Sequence, residues 1–427
     1  MRLTSQIMFV CLGCLLGASA LTGQAPAGPT SWEQFLEAST VPRSDIDRFL
    51  RGPSWARFDP ELGYVPGNYL PPDGLDRSSS ISTVQANGAR RSFLYVQQKS
   101  RINTYGDSFT HGDQVNDGET WQEYLAGHLG EPIRNFGVGG YGVYQSYLRM
   151  IREERTEHSA PNLIFYIWGD DHIRSLLRCR HAIIYKRWND RGGTMFHANF
   201  WTHLEMNLNS GKFEEKKNIL KTPAELYRMA DSRFMVENLK DDVALQLYAV
   251  AMGYTLELDR ALVSRLAGHL GYSMEWNDAS QRKRQAQELL DRYSLEATKF
   301  TLGKAREFAR QNSKKLMIVL FDPYRAMKEI RQNGARYDQS IVDFLSHERF
   351  DYFDMNEVHL RDFARYSLSF DDYMKLYFIG HYNPRGNHFF AYSIKDKVVS
   401  WLDPKPITYR NREEESVDFQ GYLKTIR

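Results

Sequence analysis

Cysteine is scarce in this chain, with three residues among 427. Cys11 and Cys14 lie within residues 1–20, a segment that we expect to be removed, so Cys179 is the single cysteine of the mature chain. One cysteine cannot form an intramolecular disulfide. The hydrophobic core must therefore hold the fold without a crosslink, and an apolar content of 42% is sufficient for such a core.

An excess of charge of one sign is also missing, because 55 Lys and Arg residues balance 53 Asp and Glu residues to a net charge of +2. No long run of basic residues stands out either. Proteins that bind nucleic acids concentrate positive charge on one surface. The balanced composition therefore predicts no nucleic acid as a partner.

Long apolar runs are missing as well. The run at 7–16 is shorter than the roughly 20 residues that a membrane-spanning helix needs, and it leads into small residues that end with Ala18-Ser19-Ala20. A short apolar run before such a small-x-small site is typical of a secretory signal. The sequence predicts a signal peptide over residues 1–20, a secreted or periplasmic protein, and no stable membrane span after signal removal.

Patterns that hold metals or cofactors are not evident. His111, His172 and His181 do not have the spacing of metal ligands. The glycine-rich stretch 137–142 lacks both the lysine of a phosphate-binding loop and the fingerprint of a dinucleotide site. We therefore expect no metal and no cofactor.

The chain does contain helical periodicity that alternates with short apolar strands. Residues 162–168 form a nearly continuous apolar run, as expected for a parallel strand buried on both faces. This alternation predicts an α/β fold, with a parallel sheet and helices on both of its faces. Further strands are predicted at 101–105, 133–136, 316–321 and 352–355, and helices at 31–38, 142–151, 297–308, 339–345 and 387–401, with one more beginning near 120.

Changes of pattern divide the chain into five predicted parts. From 175 to 299 helical periodicity dominates, for example at 241–258 and 279–293, and strand signals are few. This helical insertion is either a lid or substrate platform at the sheet edge, or a structural appendage. The parts are the signal peptide (1–20), an irregular N-terminal wrapping segment (21–100), the first part of the α/β domain (101–174), the helical insertion (175–299) and the second part of the α/β domain (300–427).

Four short stretches stand in an informative order. They contain Ser108, Gly140, Asp170 and His381, and they span 106–112, 135–142, 168–171 and 380–387. Together they resemble the four blocks of the SGNH (GDSL-type) hydrolase family, which supply Ser, Gly, Asn and His. The resemblance covers about 101–168 and 316–401 and leaves the helical insertion outside. It implies a flavodoxin-like three-layer sandwich with a parallel sheet, and 58–64 is similar to a lead-in seen in secreted members.

The resemblance implies a role for each of these residues. Ser108 is the expected nucleophile, and His381 is the base that takes its proton. The amides of Ser108 and Gly140 are expected to form an oxyanion hole, and a glycine there lets the backbone approach a ligand closely. The residues alone leave alternatives open, because Ser108 also fits a plain turn, His381 a surface position and Gly140 the entry to a helix.

Two positions depart from the family pattern. Asp170 stands where the family has the Asn of its oxyanion hole, so either burial keeps this carboxyl protonated or the position has lost that role. The Asp that the family carries two or three residues before its His is missing, because positions 378 and 379 are apolar. Asp371, Asp372 or a backbone carbonyl remain as groups that could orient His381, and no third catalytic residue is predicted.

The sequence thus predicts an exported serine esterase that hydrolyses an O-acyl ester through an acyl-enzyme on Ser108. An acetyl ester on a carbohydrate is the candidate substrate, so the expected partner is a small-molecule or glycan ester. Two alternatives stay open. A carbohydrate O-acyltransferase would use the same residues, and a non-catalytic glycan-binding protein of the same fold would account for Asp170 and the missing acid.

Overall fold

The computed structural model describes residues 29–52, 54–68, 70–180 and 199–410. The predicted signal peptide lies outside the described residues, and so does His181. The strands, in chain order, are β1 (Ala56–Asp59), β2 (Gly63–Pro66), β3 (Ile102–Tyr105), β4 (Ile133–Asn135), β5 (Asn162–Trp168), β6 (His203–Asn207), β7 (Lys212–Lys216), β8 (Lys315–Phe321) and β9 (Asp351–Asp354).

Helices occupy most of the remaining described chain, joined in places by short 3₁₀ turns. The helices are α1 (Trp32–Glu37), α2 (Arg43–Arg51), α3 (Ser108–His111), α4 (Trp121–Leu129), α5 (Val143–Glu153), α6 (Asp171–Arg174), α7 (Ser232–Leu239), α8 (Val243–Ala251), α9 (Arg260–His269), α10 (Arg282–Gln311), α11 (Ala326–Asn333), α12 (Gln339–His347), α13 (Met355–Phe363), α14 (Phe370–Tyr377) and α15 (Pro384–Trp401). No helix within the described ranges is long and apolar enough to cross a membrane.

Five of the strands form one parallel sheet in the spatial order β4-β3-β5-β8-β9. Numbered along the chain, this order is 2-1-3-4-5, which is the flavodoxin-like arrangement of a doubly wound sheet. At the centre, β5 pairs with β8 over its full length, from Asn162 opposite Lys315 to Trp168 opposite Phe321. The predicted α/β fold with a flavodoxin-like parallel sheet is therefore confirmed.

The central strand β5 shows why helices cover both faces of the sheet. All of its residues are buried, and successive side chains of a strand point to opposite faces. One face packs against α5 and α10, and the other packs against α4 and α15, so the sheet is the middle layer of three. Leu163, Phe165 and Ile167 belong to the first of these cores, and Ile164, Tyr166 and Trp168 belong to the second.

The segment before the sheet is more regular than its composition indicates. The helix predicted at 31–38 is α1, which Ser31 caps by accepting a backbone hydrogen bond. However, α2 and the β1–β2 hairpin lie where the sequence predicts irregular chain, which corrects that part of the prediction. In the hairpin turn, Asp59 Oδ1 accepts hydrogen bonds from the amides of Glu61 and Leu62. Such local bonds stabilise a turn between strands too short to show clear periodicity.

The stretch 175–299 contains helices, as expected, and also the β6–β7 hairpin, which the scarcity of strand signals does not reveal. The helices predicted at 279–293 and 297–308 are one helix, α10, because no proline or capping residue interrupts the periodicity between them. Since α10 continues through position 299 and packs on α5, α6 and α8, it joins this stretch to the layer beside the sheet. The division of the chain into domains stays a prediction.

Candidate active site

The structure brings Ser108 and His381 together at the carboxyl edge of the sheet. Ser108 is the first residue of α3, directly after β3, and His381 lies in the loop before α15. The Ser108 Oγ and the His381 Nε2 are 2.8 Å apart, which is hydrogen-bond distance. Two residues that are 273 positions apart in sequence therefore lie at the distance that a serine nucleophile and its base require.

Gly106 and Asp107 explain why Ser108 begins a helix at this point. A Cβ on residue 106 would lie 2.2 Å from Thr110 Oγ1 and 2.7 Å from a carbonyl oxygen of β5, so a larger residue would not fit. Asp107 then caps α3, because its Oδ1 accepts a hydrogen bond from the Phe109 amide at 2.9 Å. The glycine allows the close strand-to-helix junction, and the aspartate starts the helix that carries the serine.

The imidazole of His381 is neutral at neutral pH. Its ring packs against Phe109, with the ring centroids 4.9 Å apart. Burial, followed by the positive charge of Arg174, lowers the pKa of His381 to about 4. The loop that contains His381 leads into α15. This helix begins at Pro384 rather than at the predicted 387, because proline is favoured in the first turn of a helix. A neutral imidazole can accept the proton of the serine.

The group that orients His381 is Gln114, which the sequence analysis missed. Gln114 Oε1 accepts hydrogen bonds from the His381 backbone amide at 2.7 Å and from His381 Nδ1 at 3.0 Å. Gln114 Nε2 donates to the carbonyl oxygens of Asp73 at 3.0 Å and Ile379 at 3.2 Å. Because carbonyls can only accept, these contacts fix which end of the amide faces His381. The proton therefore sits on Nδ1, and the Nε2 lone pair faces Ser108.

The acids that the sequence offers for this task lie elsewhere. Asp371 and Asp372 are exposed in the first turn of α14, and Asp372 pairs with Lys375 at 2.7 Å. The feature of the sequence that could have indicated Gln114 is its position in the loop that follows α3, the helix that begins with Ser108. Its backbone φ of +71°, which is uncommon for a residue other than glycine, shows that the loop holds it in a special conformation.

Neither amide predicted for the oxyanion hole has an acceptor among the described residues. Ser108 lies at the start of α3, where amides have no partner within the helix. Gly140 lies in the tight turn 138–141, in which the Tyr141 amide donates to the Val138 carbonyl at 3.2 Å. Within the described part of the chain, neither the Ser108 amide nor the Gly140 amide donates a hydrogen bond. Free amides at these two positions are what an oxyanion hole requires.

Asp170 is engaged with Arg174. Its Oδ1 forms an ion pair with Arg174 Nη2, while Arg174 Nη1 donates to Asp171 Oδ1 at 2.8 Å. Asp171 Oδ2 also accepts a hydrogen bond from the Trp168 amide at 3.0 Å. Burial, with the charge of Asp107 as the next cause, raises the pKa of Asp171 well above its usual range. The oxyanion role of Asp170 stays a prediction, and the neighbouring Asp171 is the carboxyl that favours the protonated form.

The other histidines singled out in the sequence have structural partners. His111 Nδ1 lies 3.0 Å from the Gly137 carbonyl oxygen, and His111 Nε2 lies 2.9 Å from Ser82 Oγ. His172 Nδ1 lies 2.8 Å from Thr298 Oγ1, on α10. Among the residues that the structure describes, no group of three His, Cys, Asp or Glu side chains could hold a metal ion.

Comparisons with known proteins add little to this geometry. No protein-family model matches the chain, and no curated protein matches it. Among solved structures, an acetyl xylan esterase from the rumen bacterium Butyrivibrio proteoclasticus matches 73% of this chain at 10% identity and a TM-score of 0.27. The match covers 66% of that esterase chain, just under two thirds of its length. A TM-score this low does not establish a common fold or function. The strand order defines the fold, and the geometry around Ser108 is the basis for the function proposed below.

Proposed function

We propose that this chain is a serine hydrolase that cleaves an O-acyl ester through an acyl-enzyme on Ser108. The observation that carries the proposal is the relay of hydrogen bonds from Ser108 Oγ to His381 Nε2 at 2.8 Å and from His381 Nδ1 to Gln114 Oε1 at 3.0 Å. Nucleophile, base and orienting group are the three parts of a catalytic triad. Here an amide takes the place of the usual carboxylate.

In the proposed reaction, Ser108 Oγ forms a bond to the ester carbonyl carbon while His381 Nε2 takes the hydroxyl proton. The negative charge that develops on the carbonyl oxygen is held by the amides of Ser108 and Gly140. The bond to the alcohol then breaks as His381 returns the proton to the leaving oxygen. Water repeats the sequence on the acyl-enzyme, which releases the acid and restores Ser108.

The resemblance to SGNH hydrolases supports a small acyl group, such as acetyl, and a carbohydrate as the alcohol. We include export in the proposal, because the predicted signal peptide suits a secreted or periplasmic esterase. Transfer of the acyl group to a sugar hydroxyl would use the same residues as hydrolysis. Analysis of products with an acetyl donor and a glycan acceptor distinguishes the two reactions. The hydrogen bond between Ser108 and His381 favours either of them over a binding protein without catalysis.

A fluorophosphonate probe tests the proposal directly. Such probes react with serines that a base activates, so we expect one adduct, on Ser108, identified by mass spectrometry of the digested chain. Prior denaturation should prevent the labelling, because it separates Ser108 from His381. The absence of an adduct on the folded chain would contradict the proposal and favour the binding protein.

The activity is expected to persist at acidic pH. The base works only when it is neutral, and the pKa of His381 is lowered to about 4, so kcat/KM should be level at neutral pH and fall about tenfold per pH unit below that pKa. The measurement is a profile of kcat/KM between about pH 3 and 8, with a control in which enzyme held at low pH is assayed again at pH 7. A midpoint near the ordinary histidine value of 6.5 would contradict the buried, neutral imidazole.

The variant Asp170→Asn tests whether position 170 has the oxyanion role of the Asn in the third block of SGNH hydrolases. Because the Asp170 side chain is directed to Arg174, the variant Asp170→Asn should keep kcat within about threefold of wild type. An asparagine that faces the oxyanion would instead add a donor and raise kcat. An increase of about tenfold or more would therefore place position 170 in the oxyanion hole.

A further inference from the structure

The turn 138–141 contains Gly140, and the orientation of one peptide bond in this turn decides where the Gly140 N–H points. The hydrogen bond from the Tyr141 amide to the Val138 carbonyl closes a four-residue turn at 3.2 Å, and Gly140, in the third position, has a φ of +83°. Gly139, in the second position, does not have a positive φ, and a positive φ in the third position alone is the pattern of a type II turn. Type I and type II turns differ mainly by a reversal of the middle peptide, here Gly139–Gly140. The direction of the Gly140 N–H therefore depends on which turn type is adopted.

The sequence of the turn does not by itself select one orientation. Both residues that flank the middle peptide are glycines, and glycine adopts positive and negative φ with similar ease. The peptide Gly139–Gly140 is thus free to reverse unless a neighbouring group holds it. The groups that hold it must come from outside the turn.

Tyr64 supplies such a contact. Its hydroxyl donates a hydrogen bond to the Gly139 carbonyl oxygen at 2.8 Å. In a trans peptide the carbonyl and the following N–H point in opposite directions. The Gly139 carbonyl faces Tyr64, so the Gly140 N–H faces away from it, and this is the amide that has no acceptor among the described residues. Burial raises the pKa of Tyr64, which keeps its hydroxyl protonated as a donor.

Arg180 holds the next peptide of the same turn. Its Nη1 donates a hydrogen bond to the Gly140 carbonyl oxygen. Two successive carbonyls are thus bound by side chains that come from different parts of the chain, β2 and the end of the segment after α6. Tyr64 is fully buried, and its ring packs edge to face against Tyr141 with centroids 5.3 Å apart. The contacts on this turn are therefore made by groups with little freedom to move.

We infer that Tyr64 is a positioning residue, whose hydroxyl holds the Gly139–Gly140 peptide in the orientation that presents the Gly140 N–H to the oxyanion. This inference rests on the proposed function, because it names a residue that prepares the same site. It also assigns a task to the β1–β2 hairpin, which lies ahead of the α/β domain in sequence. Without the hydroxyl, the middle peptide can reverse and present a carbonyl oxygen, which repels the developing charge.

The variant Tyr64→Phe removes the hydroxyl and keeps the ring. The oxyanion is present only in the transition state and the tetrahedral intermediate, so we expect kcat to fall about tenfold to thirtyfold with KM unchanged. The matched control is Tyr144→Phe. It also removes a tyrosine hydroxyl in the same core, one that donates to Glu215 Oε2 at 2.6 Å, and it leaves the bond from Tyr64 to Gly139 intact. The control should keep kcat within about twofold of wild type.

Two kinetic results would overturn the inference. One is a kcat for Tyr64→Phe within twofold of wild type, and the other is an equal loss of kcat and of thermal stability in both tyrosine variants, which would show a general packing effect. A crystal structure of Tyr64→Phe gives a readout that does not depend on activity, and the reversed Gly139–Gly140 peptide is the expected result. If the wild-type chain neither hydrolyses esters nor reacts at Ser108, the proposed function fails. In that case, an unchanged peptide in the variant structure would overturn the inference as well.

Discussion

Replacing Ser108 with alanine is expected to lower kcat for a chromogenic acetyl ester by about 10⁴-fold or more. In the proposed reaction Ser108 Oγ receives the acyl group, and this hydroxyl lies 2.8 Å from His381 Nε2. The loss of this group leaves only the stabilisation that the free amides give to a direct attack by water. The cost to folding should be small, about 1–2 kcal/mol, because the hydrogen bonds of Ser108 Oγ to His381 and to Asp107 are lost.

The matched control for this prediction is Ser82→Ala. Ser82 Oγ also lies beside a histidine, 2.9 Å from His111 Nε2, but His111 belongs to the packing around α3 and not to the relay. This variant should hydrolyse the ester at the wild-type rate. Thermal unfolding followed by circular dichroism checks that both variants fold. Activity of Ser108→Ala within tenfold of wild type would exclude the acyl-enzyme.

Replacing Gln114 with alanine is expected to lower kcat by about 10²–10³-fold, although Gln114 does not touch the reacting atoms. Its Oε1 fixes the proton on His381 Nδ1 at 3.0 Å, and without it the imidazole can adopt the other tautomer or rotate. In the other tautomer, Nε2 carries the proton and cannot accept one from Ser108. We expect KM to change little, because the imidazole takes part in chemistry rather than in ground-state binding.

The variant Gln114→Glu separates orientation from simple support of the loop. A glutamate can still accept from His381 Nδ1, but it cannot donate to the carbonyls of Asp73 and Ile379. Its negative charge should raise the pKa of His381 above about 4, so the acid limb of the pH profile should move to higher pH while activity exceeds that of Gln114→Ala. A role limited to loop support predicts no such move. A kcat for Gln114→Ala within about fivefold of wild type would contradict the orienting role.

The parts that sequence predicts well are those encoded by neighbouring residues. The apolar run at 162–168 has the bounds of β5, because a strand buried on both faces needs an unbroken apolar stretch. The strand predicted at 101–105 corresponds to β3, although the short helix α3 after it was not predicted, because the next helix was expected to begin near 120. These local features, in the right order along the chain, were sufficient to predict the α/β fold.

The parts of the site that the sequence analysis missed depend on contacts between residues that are far apart in the chain. No local sequence pattern indicates such contacts. Gln114 meets His381 across 267 positions, and Tyr64 meets Gly139 across 75. Each contact joins a polar side chain to a loop whose path is set by the packing of the whole sheet. A search for the third member of the relay near His381 in sequence therefore finds only Asp371 and Asp372, which face solvent.

The order of the site residues along the chain has a consequence for biosynthesis. Ser108, Gln114 and the turn at Gly140 all emerge from the ribosome long before His381, the proposed base. Until α15 docks on α4, the imidazole of His381 is not held beside Ser108. A nascent chain without α15 therefore carries a serine that is not activated by this histidine. The proposed hydrolysis is confined to molecules in which α15 has been synthesised and has docked on α4.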